Sequence, residues 1–299
     1  MIISKLEALR MQIRALEGHS LETCSGDQSL PFEDAKLNAP LPHGGLKLGA
    51  LHEFRSDGLE AELVPAVTAF AATVAARILR TKEGYALWAL SRADCYAPGL
   101  ASFGLDPVCI VWVECRKDAE VLGVMEEALH SRTLATVLGE AGALSLKAGR
   151  RLDAAARQSG VTALLLRRPL FKSSKAGSGP SGAAATRWRV SAAAHRHPGN
   201  ANGVIRDRPN EQRSVLNGPG YRQAGSGTAQ PGLGPPCWRL DLEYCRNGGR
   251  ASWIVEALDG SDGNGIQAGH VRVVAELHDE ACEGEAAPAR TPAPTARAS

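Results

Sequence analysis

Residues 134–166 read LATVLGEAGALSLKAGRRLDAAARQSGVTALLL, and their pattern decides the fold. Segments 134–138 (LATVL) and 161–166 (VTALLL) are short, unbroken apolar runs, as expected of strands covered on both faces. Between them, 150–158 carries a helical pattern that Ser159-Gly160 stops. Strand, helix and strand within about 35 residues predict a parallel βαβ unit.

Outward from that unit the alternation repeats. Residues 51–54 predict a strand, 66–79 an Ala-rich buried helix, 85–90 (YALWAL) a strand, 96–105 (YAPGLASFGL) a loop with a short helix, and 109–113 (CIVWV) a strand. Asp118 is placed to cap a helix over 119–130. The predicted class is α/β, a mostly parallel sheet flanked by helices, with its core at 50–171. Further on, 237–244 (CWRLDLEY), 251–258 (ASWIVEAL) and 270–277 (HVRVVAEL) predict a C-terminal antiparallel β extension over 237–278, with 246–249 (RNGG) as its first turn.

The flanks read differently. Residues 1–18 place Ile2, Leu6, Leu9, Ile13 and Leu16 on one narrow seam, an amphipathic helix suited to a partner or a neighbouring subunit as well as to its own domain. Residues 19–49 lack a period and hold Pro31, Pro40 and Pro42, which predicts a linker. Residues 173–236 contain 18 Gly or Pro, so 172–236 reads as a flexible segment with one strand at 186–190 (TRWRV), and the Ala/Pro-rich 279–299 reads as a disordered tail.

The 299 residues carry 34 basic and 32 acidic side chains, a net charge of +2. With 44% hydrophobic but only 5% aromatic residues, the core is expected to be aliphatic. Seven cysteines, none in a C-x-x-C pair, argue against a disulfide framework or structural zinc, and no metal is expected. Charges interrupt the start MIISKLE where an export signal needs an apolar run. The best uncharged apolar stretch, 63–76, is shorter than the roughly 20 residues that span a bilayer. A cytoplasmic protein without membrane contact is expected.

The small net charge hides a segment. Between 161 and 236 there are eleven basic side chains against two acidic ones, a local +9. Arg187, Trp188, Arg189, Arg206, Arg208, Arg213 and Arg222 are candidate contacts to single-stranded DNA, arginines to phosphate and Trp188 to a base. A solvated linker or a protein-docking segment explains the same composition.

An open parallel sheet binds ligands beyond the carboxyl ends of its strands, so the first strand-to-helix turn is where a phosphate loop belongs. That loop needs G-x-x-x-x-G-K-[ST], and residues 55–62 read RSDGLEAE. Arg55, Ser56 and the lone Gly58 cannot supply it, and Asp57, Glu60 and Glu62 set carboxylates where phosphates would lie. Two like charges about 4 Å apart repel by about 4 kcal/mol at an effective dielectric near 20, roughly a thousandfold in binding. Glu140, after the strand at 134–138, stands where a Walker B carboxylate would hold Mg²⁺; without a lysine loop it reads as a solvated residue of a vestigial site. No nucleophile–base spacing appears, so neither catalytic residues nor a cofactor are assigned, and the chain is not read as an enzyme.

The succession LHEF at 51–54, YALW at 85–88, YAPGL at 96–100, GLDP at 104–107, MEEAL at 125–129 and VTALLLR at 161–167 resembles the ImuA family. TRWRV at 186–190 and WRLDL at 238–242 extend the likeness. These are bacterial damage-inducible mutagenesis proteins related to the RecA core and, more distantly, to SulA division inhibitors. The resemblance implies a RecA-like fold with a degenerate P-loop. It also implies an accessory role in the SOS response, in DNA repair by mutagenic translesion synthesis. The implied partners are an ImuB-like inactive Y-family polymerase and an error-prone C-family polymerase, and beyond them RecA and single-stranded DNA. Two other functions fit the same fold: a RecA-like DNA-dependent ATPase or recombinase with a nonstandard nucleotide site, and a SulA-like inhibitor of cell division.

Overall fold

The computed structural model describes residues 28–56, 60–131, 133–142, 144–168, 182–194, 235–258 and 269–277. In chain order the elements are β1 (Ser29–Leu30), α1 (Ala35–Asn38), β2 (Leu46–Lys47), β3 (Leu51–Arg55), α2 (Glu60–Thr81), β4 (Tyr85–Leu90), β5 (Ile110–Glu114), α3 (Asp118–Ala128), β6 (Leu134–Ala141), α4 (Leu146–Ser159), β7 (Thr162–Arg167), β8 (Thr186–Ala193), β9 (Cys237–Cys245), β10 (Ala251–Leu258) and β11 (His270–Leu277). β1 and β2 form a small hairpin; the other nine strands form one sheet in the order β11-β10-β9-β8-β3-β7-β6-β4-β5. The six strands from β8 to β5 are mutually parallel, and β9, β10 and β11 continue the sheet antiparallel. This is the α/β class expected from the sequence.

The unit β6–α4–β7 pairs in parallel from Thr136↔Thr162 to Ala141↔Arg167. Ser145 caps α4 by accepting the Ala148 N–H at 3.2 Å, and Gly160, at φ 76°, ends it with its N–H on the Ala156 carbonyl. Along β7 the side chains divide between two cores: Leu164 and Leu166 meet α2, while Ala163 and Leu165 meet α3 and α4. That division is why the strand is apolar without interruption. α2 begins before its expected start and is long and apolar enough to cross a membrane by length and composition, but 67% of its Val64–Thr81 window is buried in the protein. Its Phe70 lies among Phe54, Trp188 and Trp238, with ring centroids 5.6–5.9 Å apart.

Three local expectations are corrected. Residues 28–49 are not a spacer: Leu30, Phe32, Leu37, Leu41 and Leu46 are buried in the core. The Phe32 ring meets Trp188 edge-on at 6.2 Å, and Arg77 of α2 reaches both Glu33 and the Pro31 carbonyl. Irregularly spaced apolar residues can fill a groove without leaving a period to read. Second, Lys117, not Asp118, stands at the N-cap position of α3 and makes no side-chain capping hydrogen bond; Asp118 is the first residue of the helix, and its carboxylate accepts the Gly142 N–H at 2.7 Å. Third, β6 does not stop at Leu138 but continues to Ala141. The expected helix at 1–18 and the tail at 279–299 lie outside the described residues, as does most of 172–236.

Candidate functional site

The carboxyl ends of β7, β6 and β4, three neighbours in the sheet, bring together residues far apart in the chain. Glu140 comes from β6, Arg168 directly follows β7, and Asp94 lies in the loop after β4. Arg168 donates to both Asp94 oxygens, at 2.9 and 2.6 Å, and to Oε2 of Glu140. Oε1 of Glu140 accepts the Trp88 indole N–H at 2.9 Å. Asp94 is half open to solvent, whereas Glu140 is 2% exposed. The Arg168 contact holds the Asp94 carboxyl below its usual range. Burial pushes Glu140 up while Arg168 and Trp88 pull it back, and the hydrogen bonds to Asp94, followed by the Glu140 charge, raise Arg168.

This triad forms the floor of a pocket of about 630 Å³. Val64, Pro65 and Ala69 of α2 form one wall, and Tyr96, Leu100 and Phe103 the other. Its four charged side chains, Arg92, Asp94, Glu140 and Arg168, balance. Cys95 also lines it, but burial pushes that thiol up to about 11, far from the thiolate a nucleophile needs. Among the described residues no three His, Cys, Asp or Glu side chains group as a metal site.

Glu140 is therefore not the solvated loop residue the sequence predicts. Gly139, just past the expected strand, serves packing: a Cβ there would overlap the Met125 sulfur of α3. Relieved of that clash, β6 runs on and carries Glu140 into the interior. At the phosphate-loop position, Arg55 donates to Glu243 of β9, at 2.7 Å from Nε, so its charge is committed to a neighbouring strand. Ser56 follows β3, and Glu60 and Glu62 lie in the first turns of α2. Asp57 and Gly58 are outside the described residues.

The DNA candidates divide. β8 alternates, so Arg187 and Arg189 face one side and Trp188 the other. Trp188 is fully buried, stacked at 6.1 Å on Trp253, with its indole N–H on the Thr186 hydroxyl at 2.8 Å. It offers no face to a base, which corrects the stacking role. Arg187, with 14% of its side chain exposed, lies 3.7 Å from buried Glu53, which Arg167 also approaches at 3.3 Å. Arg189 pairs with Asp241 at 3.0 Å and Glu243 at 3.5 Å. These two arginines tie strands together. Arg206, Arg208, Arg213 and Arg222 lie outside the described residues, as do Ile2, Leu6, Leu9, Ile13 and Leu16.

The sequence singled out neither Asp94 nor the pairing of Arg168 with Glu140. They are separated by 74 and 28 positions along the chain, and only the strand order joins them.

No family model matches the chain. Two curated sequences, each named Protein ImuA, from Caulobacter vibrioides strains NA1000 / CB15N and ATCC 19089 / CB 15, are each 34% identical to it over 238 residues. The match covers 78% of this chain and 85% of each relative.

Proposed function

The chain belongs to the ImuA family, and from that premise we propose that it is a non-catalytic accessory factor in SOS-induced mutagenic translesion DNA synthesis. It acts in the cytoplasm with an ImuB-like inactive Y-family polymerase and an error-prone C-family polymerase. RecA and single-stranded DNA are further partners in this reading.

The mutagenesis role rests on the likeness to Protein ImuA; the observation that carries the non-catalytic part is the Arg168 guanidinium held between Asp94 and Glu140. Two carboxylates at the carboxyl end of a parallel sheet would suit a nucleotide's divalent cation. Here the balancing positive charge belongs to the chain itself. Breaking a buried ion pair by removing one partner costs about 3–5 kcal/mol, so an incoming metal must overcome a comparable penalty before it gains anything. A pocket that holds its own cation, together with a first strand-to-helix turn whose sequence has no lysine, supports a scaffold over an ATP-driven machine.

Co-purification of the full chain with an ImuB-like protein, with and without single-stranded DNA, tests the role directly; absence of association in both conditions would sink it. DNA-stimulated ATP hydrolysis is expected to stay at background in the wild type. Turnover that disappears in Glu140→Gln would overturn the non-catalytic reading in favour of an ATPase.

A further inference from the structure

The two edges of the nine-stranded sheet are finished differently. At β11, Arg272 pairs with Glu256 at 2.5 Å, Glu276 pairs with Lys36 at 2.9 Å, and the Asp34 carboxylate accepts the Val273 N–H at 2.9 Å. Charges and a capped N–H of this kind discourage strand addition. β5, at the opposite edge, reads IVWVE. It has one charge, at its last residue, and neither a proline nor a register shift. Among the described residues β4 alone pairs with it. Val111 is 45% exposed, and Val108, just before the strand, 83%.

The main-chain directions follow from one hydrogen bond. The Cys115 N–H donates to the Leu90 carbonyl of β4 at 2.8 Å. The two-residue alternation then turns the N–H and C=O of Val111 and Val113 toward β4, and those of Trp112 and Glu114 outward. Ile110 gives its N–H to the Pro107 carbonyl and keeps its own carbonyl facing out.

We propose that β5 pairs antiparallel with β5 of a second copy across a two-fold axis at Trp112, joining two sheets into one. In that register Trp112 exchanges both hydrogen bonds with its own counterpart, and the Glu114 N–H meets the Ile110 carbonyl of the second copy. Val111 lies against Val113 of that copy and is covered. The strand reads aliphatic-Trp-aliphatic in either direction, so the two-fold finds matched side chains. Its one carboxylate falls beside Ile110 and not beside the other Glu114, so no like charges meet. The contact is isologous, closes at two copies, and supplies about four main-chain hydrogen bonds along roughly 17 Å. The five residues a side of β5 fall well short of the roughly 20–30 of a standard interface, so the dimer is weak, forming at about micromolar concentrations or above.

Sedimentation velocity on the full chain from about 1 to about 200 µM brackets that range. A shift from monomer to dimer is expected in the wild type and is lost in Val111→Lys, whose circular dichroism stays unchanged. For the register, Val111→Cys is mixed with Val113→Cys, both in a background carrying Cys109→Ser and Cys115→Ser. Copper phenanthroline should cross-link the mixture, and neither variant alone. Three results overturn the proposal: a monomer at every concentration, which leaves the edge to a strand from a different protein; a dimer indifferent to Val111→Lys; or equal cross-linking of Val111→Cys by itself.

Discussion

His52 shows how much one buried side chain can bind the fold to its surroundings. It is fully buried on β3, with Nε2 2.7 Å from the Lys47 carbonyl and Nδ1 2.7 Å from the Thr186 hydroxyl. Because the carbonyl only accepts, Nε2 carries the proton, and the Thr186 hydroxyl, which accepts from Trp188, donates to Nδ1. Burial lowers the imidazole to about 4. The unfolded chain therefore binds a proton near pH 6.5 that the folded chain refuses until about pH 4, and stability rises with pH between those values. It is complete above about 6.5 and lost on acidification, with a contribution of about 3 kcal/mol. Urea unfolding at several pH values should give a shallower profile between 4 and 6.5 for His52→Gln than for the wild type. Identical profiles would show that another group controls the acid limb.

At the scale of elements, the sequence was most legible where apolar residues run together or recur at a regular interval. The strand at 161–166 emerges within one residue of its observed position and the one at 134–138 begins where β6 begins, because strands covered on two faces are mostly apolar; β6 runs three residues further, through Gly139 and the buried Glu140, where that signal stops. The segment 28–49 failed for the opposite reason: Leu30, Phe32, Leu37, Leu41 and Leu46 fill a groove at uneven intervals and obey no period. A measurement separates a packed segment from a loose one. Phe32 is buried, touches Trp188 and lies beneath the Arg77 guanidinium at 5.3 Å. Phe32→Ala should lower the unfolding free energy by about 3–5 kcal/mol in urea titration. A change below about 1 kcal/mol would restore the spacer reading. TRWRV misled in a related way. Read as a string it is a basic aromatic motif; as a strand it sends its tryptophan into the core and its arginines to Glu53, Asp241 and Glu243.

At the scale of the molecule, the question is which charges remain for a polyanion. Arg55, Arg187 and Arg189 are paired with carboxylates of the folded core. The remaining candidates are Arg206, Arg208, Arg213 and Arg222. Changing the first three of these to Ala should weaken binding to single-stranded DNA, measured by fluorescence anisotropy at several salt concentrations. The salt dependence should fall by about 0.7 log unit per log unit of salt for each phosphate that an arginine no longer neutralises. Removing Arg187 should instead act chiefly through stability. An unchanged salt slope in the triple variant would exclude those three side chains from phosphate binding. The Asp94–Glu140–Arg168 floor belongs to this scale too. It was illegible because its members meet only after β4, β6 and β7 have taken their places side by side.

The position of β3 between β7 and β8 has a consequence in time. It is the first long strand to be synthesised, yet its neighbours follow far later; the Gly49 N–H, just before it, reaches the Thr162 hydroxyl 113 positions on. A nascent chain ending before β7 has nothing to lay against either side of Leu51–Arg55. Assembly must wait for the distant half and close a long loop when it arrives, which slows folding. During synthesis, the strand at the centre of the finished sheet, with His52 and Glu53 that end up buried, is the one left longest without neighbours.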